Sequence, residues 1–472
     1  MVLFPVGCKS GNGKQRYRPC PGGCCRRRFV GPAVRPGSAE VHTVRQPIHF
    51  GQELRRLRIA SNFTLTDLAN RVHYSKGQLS KVERGLKAPS RDLVRLCDAA
   101  LNAGGALVRL APAIQAKVAE PQATEGADEE VWLMRLSADG QNWFQPMGRR
   151  QVLAVGAVSI AGMSIGGTET GSRAGSVELL RVSRSLFDQY RQLGQVTNPA
   201  VVLPALISQT HMLREAAVTA DSVTRQGLLR LGSRYAEYVG WLVQETGNEQ
   251  GALWWTRRAV ELAAAGGDRH LAAYALVRRA LVTLYREDAA QTIGLAQQAQ
   301  DDQVPPRIRG LAAQREAQGH AINGDYDACM RGLDRARTLL TPRLEDGDGP
   351  VIGTTNLSDP VAMITGWCLH DLGRPREAAE ILDRELARVA SEAVRTKVRY
   401  GVRRALAYAV AGEVDHACTL TRDLLGGAIT VSSATIAADL RSLARVLGRH
   451  PRNAQVSDLS PELSTALRIV TP

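Results

Sequence analysis

Four glycine turns recur through the second half of the chain: Gly247-Asn248, Gly324-Asp325, Gly373-Arg374 and Gly412-Glu413. Each lies five residues ahead of a small side chain, Ala252, Cys329, Ala378 or Ala417. A glycine ends one helix without a Cβ penalty, and a small residue lets the next helix cross closely, which is what paired antiparallel helices need. The turns are separated by 77, 49 and 39 residues. The first interval holds two units of about 38 if Arg286-Glu287 forms a turn without glycine, and the second holds one unit plus the Gly- and Asp-rich loop 344–356. Aromatic residues make up only 5% of the chain, while alanine, leucine and arginine abound, which favours helix over sheet. The expected fold is all-α, with residues 172–472 forming a helical repeat domain.

Within that region, residues 221–426 resemble a degenerate tetratricopeptide solenoid, above all around Gly240, Gly247 and Ala252 and around Gly366, Gly373 and Ala378. The resemblance implies that the residue after the first glycine of a unit lies on the concave face, so Trp241 and Trp367 line a groove. By the same register Arg234, Glu237, Gln244, Gln314, Gln318, Met363 and His370 face it too. Such a surface suits an extended peptide or a partner helix, because amides satisfy backbone groups and tryptophans give apolar anchors. Packing against a neighbouring helix or against the N-terminal domain accounts for each of these residues equally well. Trp254 and Trp255 fall on the second helix of their unit and read as packing.

Charge divides the chain differently. Residues 1–46 carry nine Lys/Arg against Glu40, and residues 47–112 carry eleven against five acids, which together account for the whole net charge of +14. Residues 113–472 are neutral, so a polyanion belongs to the front end. The leader, residues 1–46, is rich in Gly, Pro and Arg without apolar periodicity and is expected to be a disordered basic arm. No continuous apolar run makes it a signal peptide. The spacing of Cys8, Cys20, Cys24 and Cys25 matches no standard zinc site, and Cys97, Cys329, Cys368 and Cys418 stand singly in helical patterns, as reduced thiols of a cytoplasmic protein do.

Residues 47–112 read as a small helical domain. Phe50, Leu54 and Leu57 share one face of a first helix. Thr64, with Asp67 three residues on, opens a second helix, whose Leu68, Ala69 and Val72 point inward. Ser75 and Gln78 open a third, burying Leu79 and Val82 and leaving Lys76, Gln78, Ser80, Lys81 and Arg84 outside. Gly85 stops it, Pro89-Ser90 opens a fourth with Leu93, Leu96, Ala100 and Leu101 inward, and Gly104-Gly105 ends that one. Residues 50–101, and most specifically the run from Ser75 through Leu79-Ser-Lys-Val-Glu-Arg-Gly85 to Pro89-Ser90, resemble the helix-turn-helix domain of the Cro/phage-repressor (XRE) transcription factors. The resemblance implies that the third helix enters the major groove of double-stranded DNA, with Ser75, Lys76, Gly77, Gln78, Ser80 and Lys81 facing bases or backbone and Thr64 and Arg84 near phosphate. Lysine donates to the acceptor edge of guanine and glutamine pairs with adenine. Gly77 adds no side chain, so readout centres on Lys76, Gln78 and Lys81. His73 stands where such domains have a turn glycine, and His is among the residues that tolerate positive φ.

Residues 113–171 read as a linker with an apolar segment, 151–168. That segment follows Arg149-Arg150 but is broken by Gly156, Gly162, Gly166 and Gly167, and a buried or docking helix is favoured over a membrane span. No P-loop, dinucleotide fingerprint, metal-spaced histidine pair or nucleophile elbow is present, so neither a cofactor, a metal nor an enzyme activity is expected. The layout as a whole resembles actinobacterial regulators that join such a reader to a helical repeat domain, and more distantly the peptide receptors of Gram-positive quorum sensing. It implies a cytoplasmic, homodimeric, DNA-binding transcriptional regulator whose repeat domain takes a peptide, small ligand or partner protein. The alternatives are an interaction scaffold or antitoxin-like module, and a membrane-tethered regulator.

Overall fold

Hydroxyl side chains start the first helices in the computed structural model, which describes residues 49–111, 131–135, 143–147, 173–341 and 352–470. The basic leader and the apolar segment 151–168 lie outside these residues. Helix α1 spans Phe50–Ala60, α2 Leu65–Arg71, α3 Lys76–Glu83, α4 Arg91–Ala100 and α5 Ala106–Leu110. Thr64 and Asp67 form a reciprocal capping box at α2, Ser75 accepts from the Gln78 N–H at α3, and Ser90 accepts from the Leu93 N–H at α4. Leu54, Leu68, Val72, Leu79, Val82, Leu93 and Cys97 close the core between them. An added Cβ on Gly51 would stand 2.5 Å from the Val82 carbonyl oxygen, so α1 rests directly on the end of α3. Arg58 and Glu83 pair at 2.6 Å across the same junction. The helix after Gly105 is absent from the sequence reading. Its N-terminus is held by the buried Asp98, whose carboxylate accepts from the Gly105 and Leu107 N–H groups at 2.8 and 2.9 Å.

The stretch read as linker contains two strands, β1 Val131–Arg135 and β2 Trp143–Met147, paired antiparallel with Val131 opposite Met147. This two-stranded ribbon departs from a purely helical chain. Its Val131, Trp132, Trp143 and Phe144 are the β-branched and aromatic types that a composition average over the whole chain conceals.

The rest is helical hairpin after helical hairpin: α6 Arg173–Val196, α7 Pro199–Thr219, α8 Ser222–Glu245, α9 Glu249–Ala265, α10 Leu271–Tyr285, α11 Ala289–Gln298, α12 Pro306–Ile322, α13 Tyr326–Leu340, α14 Pro360–Asp371, α15 Pro375–Leu386, α16 Val394–Val410, α17 Val414–Val431, α18 Ala434–Leu447 and α19 Ala454–Val470. The chain is thus an N-terminal helix-turn-helix domain followed by a tetratricopeptide-like α-solenoid. The hairpin turns share one construction. A residue of positive φ ends the first helix, at Gly247, Glu287, Gly324, Gly373 and Gly412, and Asn248, Asp288 and Asp325 then cap the second helix in the first three. Glu287, at φ 57°, is the turn without glycine that the spacing requires.

The solenoid bends until its ends meet. Glu245, at the end of α8, pairs with Arg395 and Arg399 of α16 and accepts from the Ser433 and Thr435 hydroxyls at the start of α18. Arg395 also donates to the carbonyls of Gly194 and Thr197, at 2.7 and 2.6 Å, and of Val431 at 3.0 Å. Burial pushes the Glu245 carboxyl up, yet Arg399 and Arg395 overcome it and hold it down at about 2.

Candidate functional site

Two surfaces are candidates for a functional site, the outer face of α3 and a cavity inside the ring. On α3, Leu79 and Val82 are buried while Lys76, Gly77 and Lys81 are exposed and Gln78 and Ser80 half-buried. Ser75 is spent on capping, which fixes the N-terminal turn that would carry Lys76 and Gln78 to a base edge. Arg84 is exposed and its Nε donates to the Ser80 carbonyl at 3.3 Å. Thr64 sits differently. Its N–H and hydroxyl both donate to Asp67 Oδ2, at 2.9 and 2.6 Å, so a carboxylate already occupies the end of α2 where phosphate contact was expected. His73 adopts φ 53°, closing the turn between α2 and α3.

The reader is docked on the solenoid through its other elements. An added Cβ on Gly324 would lie 2.7 Å from Gly105 Cα, one on Gly373 2.3 Å from the Arg95 carbonyl, and one on Gly412 2.9 Å from the His73 ring. Arg91 pairs with Glu287, and Arg449 pairs with Asp92 and lies over the Tyr74 ring. The row of turns that reverses the chain in each hairpin is therefore the platform for α4, α5 and the turn after α2. Buried residues of the helix-turn-helix domain, from Phe50 to Leu107, join the core of α16–α19. His73, His370 and His450 sit along this junction, and burial lowers the pKa of all three.

The cavity, about 680 Å³, lies within the ring and is lined by α6, α8, α10, α12, α14 and α16, the first helix of successive hairpins, together with residues 352–357. Arg191 and Arg307 donate to the carbonyls of Gly353 and Ile352, at 2.6 and 2.9 Å, and so hold that segment. Of the residues assigned to the groove, Arg234, Glu237, Trp241, Gln314 and Trp367 line it. The other four do not. Gln244 is buried and accepts from Arg278, because α10 closes over the end of α8. Met363 is 1% exposed, one residue off the stripe formed by Pro360, Ile364 and Trp367, and packs in the core. Gln318 lies behind the wall, its Oε1 accepting from Arg315 Nη1. His370, one turn beyond Trp367, faces the docked α4 rather than the cavity, with Asp371, Arg95 and Asp92 around it.

Sequence reasoning missed the arginines. Arg184, Arg191, Arg278, Arg315, Arg395 and Arg399 all reach the lining, beside Tyr274 and Tyr400. The signal was available: Arg278, beside Val277 and one turn ahead of Leu281, stands on an apolar face where a cation needs a reason. One wall residue also reaches the reader. Trp367 Nε1 donates to Asp371 Oδ2 at 3.1 Å, and Asp371 Oδ1 accepts from Arg95 of α4 at 3.0 Å.

Residues 49–111 match the family model described as a helix-turn-helix domain. No curated protein matches the chain. Among solved structures the chain is similar to a Rap protein crystallised with competence and sporulation factor, at 16% identity and a TM-score of 0.36, over 62% of this chain and 86% of that one. Among the described residues no helix is long and apolar enough to cross a membrane.

Proposed function

We propose that the chain is a sequence-specific, DNA-binding transcriptional regulator of the cytoplasm, with α3 as its reading helix and the cavity of the solenoid as its ligand site. The observation that carries the reading is the state of α3: capped, packed on one side, and presenting Lys76, Gln78 and Lys81 outward although the domain around it is docked. Exposed lysines at the first and last turns of a rigid short helix are the equipment of a major-groove reader. A homodimer would place two such helices on two half-sites, and a ligand that fits one curvature of the ring better than another would shift their spacing. No catalytic role is assigned to any residue.

The test is direct. Each lysine-to-base contact is worth about 1–3 kcal/mol, so K76A combined with K81A should abolish retention on a site selected from random DNA while the helical circular-dichroism signal is unchanged. Unaltered retention by the double variant refutes α3 as the reader.

A further inference from the structure

We infer that the cavity receives a carboxylate-bearing ligand whose carboxylate seats on Arg315. The inference rests on the reading of the cavity as a ligand site and narrows it to one chemistry. Seven arginines and two carboxylates line the space. Asp268 and Glu245, just behind the wall, neutralise three of these arginines, yet among the described residues the arginines at the cavity outnumber the carboxylates.

That excess has a centre. Arg234 is matched by Asp268, Arg278 by Glu237, and Arg395 and Arg399 by Glu245. Arg315, deep on α12, pairs with no carboxylate among the described residues, and its ionisable neighbours are the neutral tyrosines 274, 285 and 400 and another cation, Arg278. Burial lowers its pKa, as it must for a cation without a counterion.

Its hydrogen bonds point the same way. Nη1 donates to Gln318 Oε1, while Nε has no partner. A guanidinium carries five N–H donors, so Arg315 keeps donors beyond the one given to Gln318, and two of them side by side match a planar carboxylate. Along the same wall Arg234 Nη1 and Gln314 Nε2 are buried N–H donors without a hydrogen-bond partner, and the Tyr285 hydroxyl beside Arg315 has none either. A wall furnished with unspent donors selects a ligand rich in acceptors, and buried donors left unpaired are costly. A single fork suits a planar monoanionic carboxylate, and the neighbouring guanidinium, Arg278, is already paired with Glu237. The volume suits a peptide of a few residues or an organic acid.

Both sources share the carboxylate, and the experiment separates them. Full-length protein is titrated, with thermal unfolding and calorimetry as readouts, with a randomised pentapeptide pool bearing free C-termini, the same pool amidated, citrate, glutarate, and sodium chloride at matched ionic strength. The free-acid pool or the organic acids should raise Tm where the amidated pool and chloride do not. Arg315→Gln should unfold at or above the wild-type temperature without ligand and lose the response. Arg315→Lys, which keeps the charge but not the fork, should weaken binding about tenfold or more. The inference is overturned if no carboxylate probe exceeds chloride, if amidated and free-acid pools act alike, or if Arg315→Gln responds as wild type does. DNA retention is measured on the same samples, so intact retention without an anion response removes this inference and leaves the reader standing.

Discussion

Glycine at 324, 373 and 412 answers two demands at one atom. Each takes a positive φ, of 76°, 76° and 90°, and each abuts the backbone of the helix-turn-helix domain or the His73 ring. Left-handed backbone costs an L residue about 1–2 kcal/mol, and at Gly412 a Cβ would also press on His73. Gly412→Ala should therefore destabilise the protein by about 2 kcal/mol or more, read as a fall in the urea midpoint. Gly77 makes the opposite case: nothing lies within 4 Å of its missing Cβ, and it sits in the first turn of α3. Gly77→Ala should raise stability by about 0.5 kcal/mol. Similar losses at both positions would show that the docking contacts at Gly412 carry no weight.

At the scale of elements, α4 and α14 form a joint between the helix-turn-helix domain and the cavity wall. Trp367 stands in the cavity wall, Asp371 one turn on holds its indole, and the same carboxylate holds Arg95 in the reader. A ligand that displaces Trp367 cannot leave that carboxylate unmoved. Asp371→Asn keeps an acceptor for the indole but gives up the charge pair, so DNA affinity should become insensitive to the cavity ligand while each site still binds alone. Coupling between sites typically amounts to about 5–150-fold, and retention assays with and without ligand measure it. Full coupling in the variant would place the connection elsewhere. The elements themselves were legible because their signals are local. Thr64, Ser75 and Ser90 mark helix starts within four residues, and the spacing demanded a turn at Glu287 before any coordinate placed one. The groove was half legible for a related reason. A seven-residue stripe finds Arg234, Glu237 and Trp241, but it runs on to Gln244 and His370, where a neighbouring helix and the docked reader cover the ends of α8 and α14. Nothing local announces such a cover.

For the molecule as a whole, the decisive contact joins residues about as far apart as a domain is long. Arg395 reaches Glu245 across 150 positions, and both side chains are 1% exposed. Removing one partner of a buried pair strands the other charge, at about 3–5 kcal/mol, so Glu245→Gln should lower Tm by several degrees. The wild-type pair also sets a pH dependence. The folded carboxyl titrates at about 2, below its ordinary value of 4.5, so its contribution is complete above pH 4.5 and disappears as pH falls toward 2. Urea unfolding between pH 6 and pH 3 should show this slope in the wild type and a flatter one in Glu245→Gln; parallel slopes would remove Glu245 as the cause. Closure of this kind has a further implication for how such a chain can vary. An open array lengthens by duplicating a unit, since each unit touches only its neighbours. Here an added or lost hairpin would carry Arg395 past Glu245, so the count of hairpins is locked by circumference, and change must come through the walls of the ring rather than its length.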